Sequence, residues 1–274
     1  MTRQLPVELP EGYVEFFKSL ENWQNEESLR LKKKFSPDKK ELLRLLNHSR
    51  KPLLEQFKPQ IDLTLFKDSY QRFLSFLKQE RQDVESKIDK LIYKQDTIDF
   101  ERLIKPGPAI DPAYAAQLSD SFVFPQELFI FTLDHTLRPY LRVMAEPYYE
   151  DLADERFYWQ FPNICPLCGA KSSFSRLQPE DGQRLMFCDH CFAEWKVQYL
   201  ACVYCGHDTP GEINYLKVDD DKAYRVYVCE KCKGYLKTYD ERSAGTPTDL
   251  FIANIETVYL DMLAQDRGYT THDS

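Results

Sequence analysis

Four short stretches decide the fold of this chain: Cys165-Pro166-Leu167-Cys168, Cys188-Asp189-His190-Cys191, Cys202-Val203-Tyr204-Cys205 and Cys229-Glu230-Lys231-Cys232. Every cysteine of the chain belongs to one of these pairs. A turn with two residues between its cysteines can direct both sulfur atoms at one ion, and two such turns complete a tetrahedron. The pattern therefore predicts two metal sites with four cysteine ligands each.

The residues beside the pairs indicate which pairs combine. Gly169 and Gly206 follow the first and third pairs, where a positive φ lets backbone amides turn toward the sulfurs. The second and fourth pairs follow apolar, strand-like residues and precede an aromatic residue, Trp195 or Tyr235, which we expect to pack around the sites. Each unit is typical of a rubredoxin-like or zinc-ribbon module. Pairing in chain order assigns the ligands as Cys165, Cys168, Cys188 and Cys191 for the first metal, and Cys202, Cys205, Cys229 and Cys232 for the second.

Three kinds of chemistry are compatible with these cysteines. Structural zinc closes its coordination sphere with four thiolates and supplies folding energy to a region without a large core. Iron suits the same tetrahedral sulfur geometry, so we expect two iron or zinc ions, one per site. Thiol exchange is disfavoured, because a thioredoxin-type pair needs one Cys-x-x-Cys in a βαβ context. His190 and His207 lie beside the cysteines and could replace a ligand, although each site already has four thiolates.

The bulk composition argues against several classes of protein. A formal net charge of −8 over 274 residues disfavours a nucleic-acid or anionic-membrane binder, which needs an excess of Lys and Arg. The most apolar stretch, residues 122–141, is interrupted by prolines and charged residues, so we expect no membrane span. Residues 1–12 lack the apolar segment of a secretory signal, so we expect a cytoplasmic location. A homodimer stays open.

The first 160 residues contain no cysteine and are predicted to form a bundle-like helical domain. Apolar residues at helical spacing predict one helix over residues 11–34 and a longer one from Asp62 to about Leu91. We find no catalytic constellation in this region. The chain is therefore expected not to be an enzyme.

Prolines divide the helical region further. Asp111 with Pro112 and Phe124 with Pro125 predict two helix starts, and Pro139 predicts a kink or an end. Residues 105–108 predict a break. A further helix start is predicted at Ser36 and Pro37, followed by an apolar set, Leu42, Leu43, Leu45 and Leu46.

After the cysteines, residues 243–247 predict a linker. Thr248 or Asp249 is expected to cap a final helix, which Gly268 can end in the left-handed conformation. The overall prediction is an α+β fold: an N-terminal all-α helical domain, two tandem rubredoxin-like or zinc-ribbon modules and a C-terminal helix. The predicted boundaries are 1–160 for the helical domain, 161–200 and 201–240 for the two four-cysteine modules, and 241–274 for the linker and last helix.

From Cys165 onward the chain resembles the formate dehydrogenase accessory protein family, FdhE. The most specific match is Val228-Cys229-Glu230-Lys231-Cys232-Lys233-Gly234-Tyr235-Leu236-Lys237, which follows matches at 165–169, 188–195 and 202–206. Many zinc ribbons share the cysteine spacing, whereas the order of these motifs is particular to the family. Residues 52–54 and 61–62 match the family more loosely.

The resemblance implies a cytoplasmic maturation factor, or chaperone, that binds the catalytic subunit of respiratory formate dehydrogenase before its export. It implies that the eight cysteines are metal ligands in rubredoxin-like iron sites, and it assigns no catalytic residue. Tyr235, Leu236 and Lys237 belong to a family motif of unknown role. Two other functions stay open: a rubredoxin-like one-electron carrier or redox sensor, and a zinc-ribbon nucleic-acid-binding protein, which the negative charge disfavours.

Overall fold

The computed structural model describes residues 9–33, 50–105, 109–216 and 222–272. Helices dominate the described chain up to Leu152, and the strands of the main sheet lie between Phe174 and Asp240. Both groups of cysteines lie in this sheet region. The predicted α+β fold, with a helical region ahead of a cysteine-bearing sheet, is confirmed. Its division at residues 160, 200 and 240 stays a prediction.

The N-terminal region is a set of helices around one apolar core. Its two longest helices, α1 and α7, pack along each other, and α3 packs against α7. Among the described residues, none of the helices combines the length and the apolarity that crossing a bilayer requires. The bounds are α1 (Tyr13–Lys32), α2 (Leu53–Phe57), α3 (Leu63–Glu80), α4 (Glu85–Lys94), α5 (Phe100–Leu103), α6 (Pro112–Phe122), α7 (Gln126–Ala145) and α8 (Tyr149–Leu152).

Capping residues set the helix starts that the sequence predicts. The Asp62 carboxylate accepts hydrogen bonds from the amides of Thr64 and Leu65 at the start of α3. Asp111 caps α6 in the same way, with Pro112 at the first helical position, where no amide partner is needed. The α7 helix begins directly after Pro125.

The sequence predicts one long helix from Asp62 to about Leu91, and this prediction is wrong in one respect. The structure has two helices there, α3 and α4. Arg81 leaves the helical region, with φ −133° and ψ 84°, and its guanidinium pairs with Asp83. The turn lets α4 fold back against α3, which buries Ile88 and Leu91. Burial of these two side chains favours the turn over a continuous helix, whose far end would stand in solvent.

Pro139 lies inside α7 and does not end it, so the predicted helix end at this residue is wrong. A proline removes the hydrogen bond to the carbonyl four residues earlier, here that of His135. The side chain of Gln24 on α1 donates to this freed oxygen at 3.2 Å and also contacts the His135 ring at 3.0 Å. Its own oxygen accepts from Arg142 at 2.6 Å. The fully buried Gln24 therefore satisfies the carbonyl that Pro139 leaves free.

Two sequence predictions fall on residues that the structure does not describe. These are the helix start at Ser36 and Pro37 with the leucines after it, and residues 106–108 of the predicted break. The described ends of that break, β1 (Ile104–Lys105) and β2 (Ala109–Ile110), pair as a short antiparallel ribbon.

The main sheet joins both cysteine units. Strands β3 to β5 form one antiparallel meander and β6 to β8 another, and β3 pairs with β8 in parallel, giving the order β5-β4-β3-β8-β7-β6. The two meanders therefore have the same direction, and their cysteine turns lie at the same end of the strands. The cysteine pattern alone does not predict this single sheet. The bounds are β3 (Phe174–Leu177), β4 (Arg184–Phe187), β5 (Glu194–Val197), β6 (Ile213–Leu216), β7 (Tyr224–Cys229) and β8 (Tyr235–Asp240).

The C-terminal segment forms α9 (Glu241–Ala244), α10 (Leu250–Glu256) and α11 (Val258–Asp266). Asp249 caps α10, as predicted, by accepting from the Ile252 amide at 3.0 Å. The single predicted helix is interrupted at Thr257, whose hydroxyl donates to the Ala253 carbonyl at 2.7 Å. Gly268 follows α11 with φ 82°.

An ion pair between the buried Lys237 and the partly exposed Asp261 attaches α11 to the sheet and gives the Tyr235-Leu236-Lys237 motif a structural role. The Lys237 ammonium, on β8, lies 2.7 Å from the Asp261 carboxylate and 2.9 Å from the Asn254 carbonyl. The Tyr235 hydroxyl donates to the other oxygen of Asp261 at 3.0 Å. Burial lowers the pKa of Lys237, while Asp261 acts to raise it. The ammonium therefore depends on these partners.

Substitution of Asp261 by Asn should destabilise the protein by about 3 kcal/mol, because the buried Lys237 ammonium loses its carboxylate. Chemical denaturation measures the change. The matched control is Asp266→Asn on the exposed side of the same helix, for which we expect a change within about 0.5 kcal/mol. Equal effects of the two substitutions would show that the ion pair does not attach α11.

The contact between α1 and α10 should make stability depend on pH. Partial burial, and then the charge of Asp249, raise the pKa of Glu21 from 4.5 to about 7. Because the folded pKa is the higher one, the stability contributed by the protonated carboxyl is present at acidic pH and is lost as pH rises through about 7. Glu21→Gln should therefore be more stable than the unsubstituted protein at about pH 8, and this advantage should vanish near pH 5. Thermal unfolding at both pH values measures it, and a constant difference would contradict it.

Candidate metal centres

The four cysteine turns share one backbone arrangement. In each turn the amide of the first cysteine donates to the carbonyl five residues later, and the amide four residues later donates back to the first cysteine, with N···O distances of 2.8–3.0 Å. The residue four positions after the first cysteine has a positive φ in every case: Gly169 (83°), Phe192 (62°), Gly206 (69°) and Lys233 (59°). The sequence indicated this turn only where glycine occupies that position.

Side-chain contacts hold the two turns that lack glycine. The left-handed conformation costs a residue with a Cβ about 1–2 kcal/mol. The Phe192 ring packs against Phe187 and Phe251, and the Arg142 guanidinium lies 3.6 Å from its centroid. Lys233 pairs with Glu230 at 2.5 Å and lies over the Tyr269 ring. These contacts offset the backbone strain.

The turns bring the eight sulfur atoms into two groups, in the combination that the sequence predicts. We call Cys165, Cys168, Cys188 and Cys191 the first sulfur group, and Cys202, Cys205, Cys229 and Cys232 the second sulfur group. All ligand atoms within a group lie within 4.8 Å of one another. Neither His190 nor His207 belongs to a group: the first contacts Arg138 and Asp134, and the second contacts Glu212.

The sulfur distances fit a tetrahedral metal ion. The Sγ···Sγ distances are 3.5 Å for Cys165 and Cys191, 3.5 Å for Cys168 and Cys188, 3.5 Å for Cys202 and Cys232, and 3.9 Å for Cys205 and Cys229. Four sulfurs about 2.3 Å from one ion lie about 3.8 Å apart, whereas a disulfide needs about 2.05 Å. Each group could therefore hold one metal ion.

Ionisation of one thiol at the expense of its neighbours points to the same chemistry. In the first sulfur group, burial opposes ionisation of Cys165, but hydrogen bonds from the other three thiols hold its pKa well below the usual value. Contacts with those same thiols, with burial added, raise the pKa of Cys168 well above it. Four thiols at this spacing cannot all ionise unless a cation neutralises them.

Helices hold both turns of the first sulfur group. At the first turn, the amides of Leu53 and Leu54 donate to the carbonyls of Pro166 and Leu167, each at 2.9 Å. These bonds satisfy amides at the start of α2, which has no side-chain cap. The α2 helix is thereby bound directly to the turn between Cys165 and Cys168.

The second turn of this group contacts α7 and α8. The Arg138 guanidinium donates to the carbonyl and the carboxylate of Asp189, both at 3.2 Å, and the Tyr149 hydroxyl donates to the Cys191 carbonyl. Arg138 also pairs with Asp134 at 2.8 Å. Cys165, Cys188 and Cys191 are fully buried as a result. Neither Arg138 nor Tyr149 is predictable from the sequence, because an arginine or tyrosine on a helix carries no signal for such a contact.

The second sulfur group is nearer to solvent. Cys205 is exposed and Cys232 is half-buried. Residues close to the C-terminus cover part of this group: Thr270 exchanges backbone hydrogen bonds with Lys233 and Tyr235, and the rings of His272 and Tyr204 lie 5.2 Å apart. Trp195, which we expected near the sites, is buried and donates to the Pro162 carbonyl at 3.0 Å.

Treatment of the metal-loaded protein with a chelator should remove the ion of the second sulfur group first, because Cys205 is exposed, whereas three of the four cysteines in the first group are buried and the fourth is half-buried. Elemental analysis during the treatment should show about half of the metal leaving early.

The substitutions Cys165→Ser and Cys205→Ser test whether the two sulfur groups bind metal independently. Each substitution should release one ion and leave the other bound. Loss of both ions from either variant would indicate a shared site.

Two equivalent glycines test how tightly the first group is packed. In Gly206→Ala the new Cβ has no neighbour within 4 Å, so only backbone strain of about 1 kcal/mol is expected. In Gly169→Ala the Cβ would lie 3.0 Å from Pro52, directly before α2, so we expect about 2 kcal/mol or more. Thermal unfolding of both metal-loaded variants measures the difference, and equal effects would contradict close packing of α2 on this turn.

Comparison with known proteins gives related sequences, although no family model matches the chain. The FdhE homolog of Aquifex aeolicus (strain VF5) is 25% identical over 185 residues, which cover 65% of this chain and 63% of that protein. The FdhE homolog of Proteus mirabilis (strain HI4320) is 28% identical over 116 residues, 41% of this chain and 37% of that protein. FdhE of Escherichia coli (strain K12 / DH10B) matches equally, over 36% of its length. The chain thus spans less than two thirds of each of these relatives.

A solved structure supports the same relationship at the level of the fold. The crystal structure of the FdhE protein from Pseudomonas aeruginosa matches with a TM-score of 0.54 and 19% identity, over 93% of this chain and 84% of that chain. These relatives and this structure confirm the resemblance to the FdhE family that the cysteine motifs indicate: the chain is similar to proteins named FdhE in sequence and in fold.

Proposed function

We propose that this chain is a non-catalytic maturation factor for respiratory formate dehydrogenase, and that it binds the catalytic subunit in the cytoplasm before export. One observation carries the proposal: the chain has relatives named FdhE, and its two sulfur groups are built from the motifs that resemble that family. An accessory protein of this kind acts by binding its client, so it needs surfaces and a rigid frame and no reactive centre.

The proposal includes the eight cysteines as ligands of two metal ions, iron or zinc, one in each sulfur group. Four thiolates close the coordination sphere and leave no position for a substrate. Such an ion stabilises a fold or transfers an electron, and a sphere of this kind is unsuited to activating a bound molecule. The donor set thereby supports a role other than catalysis.

The experiment that tests the proposal is copurification with the client. The tagged chain is produced under conditions in which the cell makes respiratory formate dehydrogenase, and the bound proteins are identified. We expect the catalytic subunit among them, and we expect deletion of the gene to lower formate dehydrogenase activity. A deletion strain with full activity would overturn the proposal.

One observation favours a second function, that of a one-electron carrier or redox sensor. Cys205 is exposed, so an iron ion in the second sulfur group would exchange electrons with a partner across a short path. Anaerobic purification followed by elemental analysis and a visible spectrum separates the two functions. Reversible absorbance changes of bound iron would favour the carrier, and colourless protein with two zinc ions would exclude it.

A further inference from the structure

An apolar groove in the helical region lies apart from both sulfur groups. Its volume is about 780 Å³, and it lies between the start of α1, the end of α3 and the start of α7. Large apolar side chains form its floor, among them Phe16, Phe17, Leu77, Leu128 and Phe131. Of these, Leu77 is buried and the other four are only partly buried.

The floor is built of stacked aromatic rings. The Phe16 ring lies 6.4 Å from the Phe131 ring and 6.5 Å from the Phe76 ring, with interplanar angles of 27° in both pairs. The guanidinium of Arg81 lies 5.4 Å from the centroid of Phe16. This contact shows that the exposed face of the floor accepts a cation as well as apolar groups.

The rim of the groove is acidic. Four exposed glutamates line it, Glu11, Glu15, Glu80 and Glu127. Among the described lining residues the cation is Arg81, and its charge is already paired with Asp83 at 2.7 Å. The negative potential of the rim is therefore not neutralised from within the described part of the groove.

Helix electrostatics explain only part of this acidic rim. Glu15 and Glu127 lie in the first turns of α1 and α7, where an acid stabilises the helix dipole. Glu80 is the last residue of α3, the end at which the dipole favours a cation, and Glu11 precedes α1. The charge of Glu80 thus opposes the stability of its own helix, and the helix dipole does not account for it.

We propose that this groove binds an amphipathic segment of a partner protein that carries lysine or arginine beside large apolar side chains. The apolar side chains would cover the phenylalanine floor, and the cations would face the four glutamates. The acidic rim disfavours an anionic membrane as the occupant. The proposal rests on the proposed function, because it supplies the surface by which a maturation factor would hold its client.

A peptide binding measurement tests the groove without the client. The probes are two short fluorescent helical peptides with the same leucine and phenylalanine positions, one with lysine and the other with glutamate at the polar positions. We expect the purified full chain to bind the lysine peptide at least about tenfold more tightly, with an affinity that falls as ionic strength rises. Equal binding of the two peptides would overturn the proposal.

Charge reversal at the rim gives the matched comparison. The double variant Glu11→Lys and Glu80→Lys should lose at least about tenfold in affinity for the lysine peptide. The control, Glu26→Lys and Glu180→Lys, makes the same charge change at exposed glutamates outside the groove and should bind normally. Thermal unfolding verifies that both variants are folded. Unchanged affinity in the rim variant would overturn the proposal.

The client measurement separates failure of the groove from failure of the proposed function. If the tagged chain retains the formate dehydrogenase catalytic subunit and the rim variant does not, the groove is supported as the client surface. Full retention by the rim variant would overturn it. If the unsubstituted chain retains no such subunit, the proposed function fails and the peptide measurement still decides the groove. A dimer of the chain that dissociates in the rim variant would assign the groove to a second copy and would also overturn the proposal.

Discussion

The sheet region is constrained by its two sulfur groups, in each of which four thiols lie within 4.8 Å of one another. The strands that carry these turns are four to six residues long, and a single hairpin of such strands would be marginally stable in water. Each sulfur group brings together two turns that are 20 or more residues apart, and a bound cation would attract all four thiolates and offset the repulsion between them. The backbone of every turn directs its two sulfur atoms into one group, and Phe192 and Lys233 adopt the left-handed conformation that this turn requires.

The consequences of this constraint extend into the helical region through α7. Arg138 and Arg142 are one helical turn apart, and they contact Asp189 and Phe192 of the same cysteine turn. Pro139 lies between these arginines, so a helix that ended there would leave Arg142 outside α7. The carbonyl that Pro139 leaves unbonded receives a hydrogen bond from Gln24, and the helix continues. A side chain of α1 thus contacts the same part of α7 that contacts the first sulfur group.

The cysteine spacing was enough to predict the two groups, because the residue type and the spacing of metal ligands can both be read from the sequence. Helix starts at Asp62, Asp111 and Asp249 were predictable for a similar reason, since a cap is a local contact. The continuity of α7 through Pro139 was not predictable, because the hydrogen bond to the freed His135 carbonyl comes from Gln24, more than 100 residues earlier in the chain. The same holds for the parallel pairing of β3 with β8, which depends on tertiary partners such as the Ser175 and Thr238 hydroxyls, 2.9 Å apart.

The two sulfur groups share a sequence pattern and a backbone arrangement, but their surroundings differ. Helices α2, α7 and α8 bind the turns of the first group, so its sulfurs link the helical region to the sheet and leave little access for a partner. Cys205 of the second group is exposed, and the contacts described there come from short segments near the C-terminus. A change at the first group should therefore alter how the two regions are held together, whereas a change at the second should act locally. An ion in the first group would therefore lie between the helical region and the sheet, whereas an ion in the second group would lie near solvent.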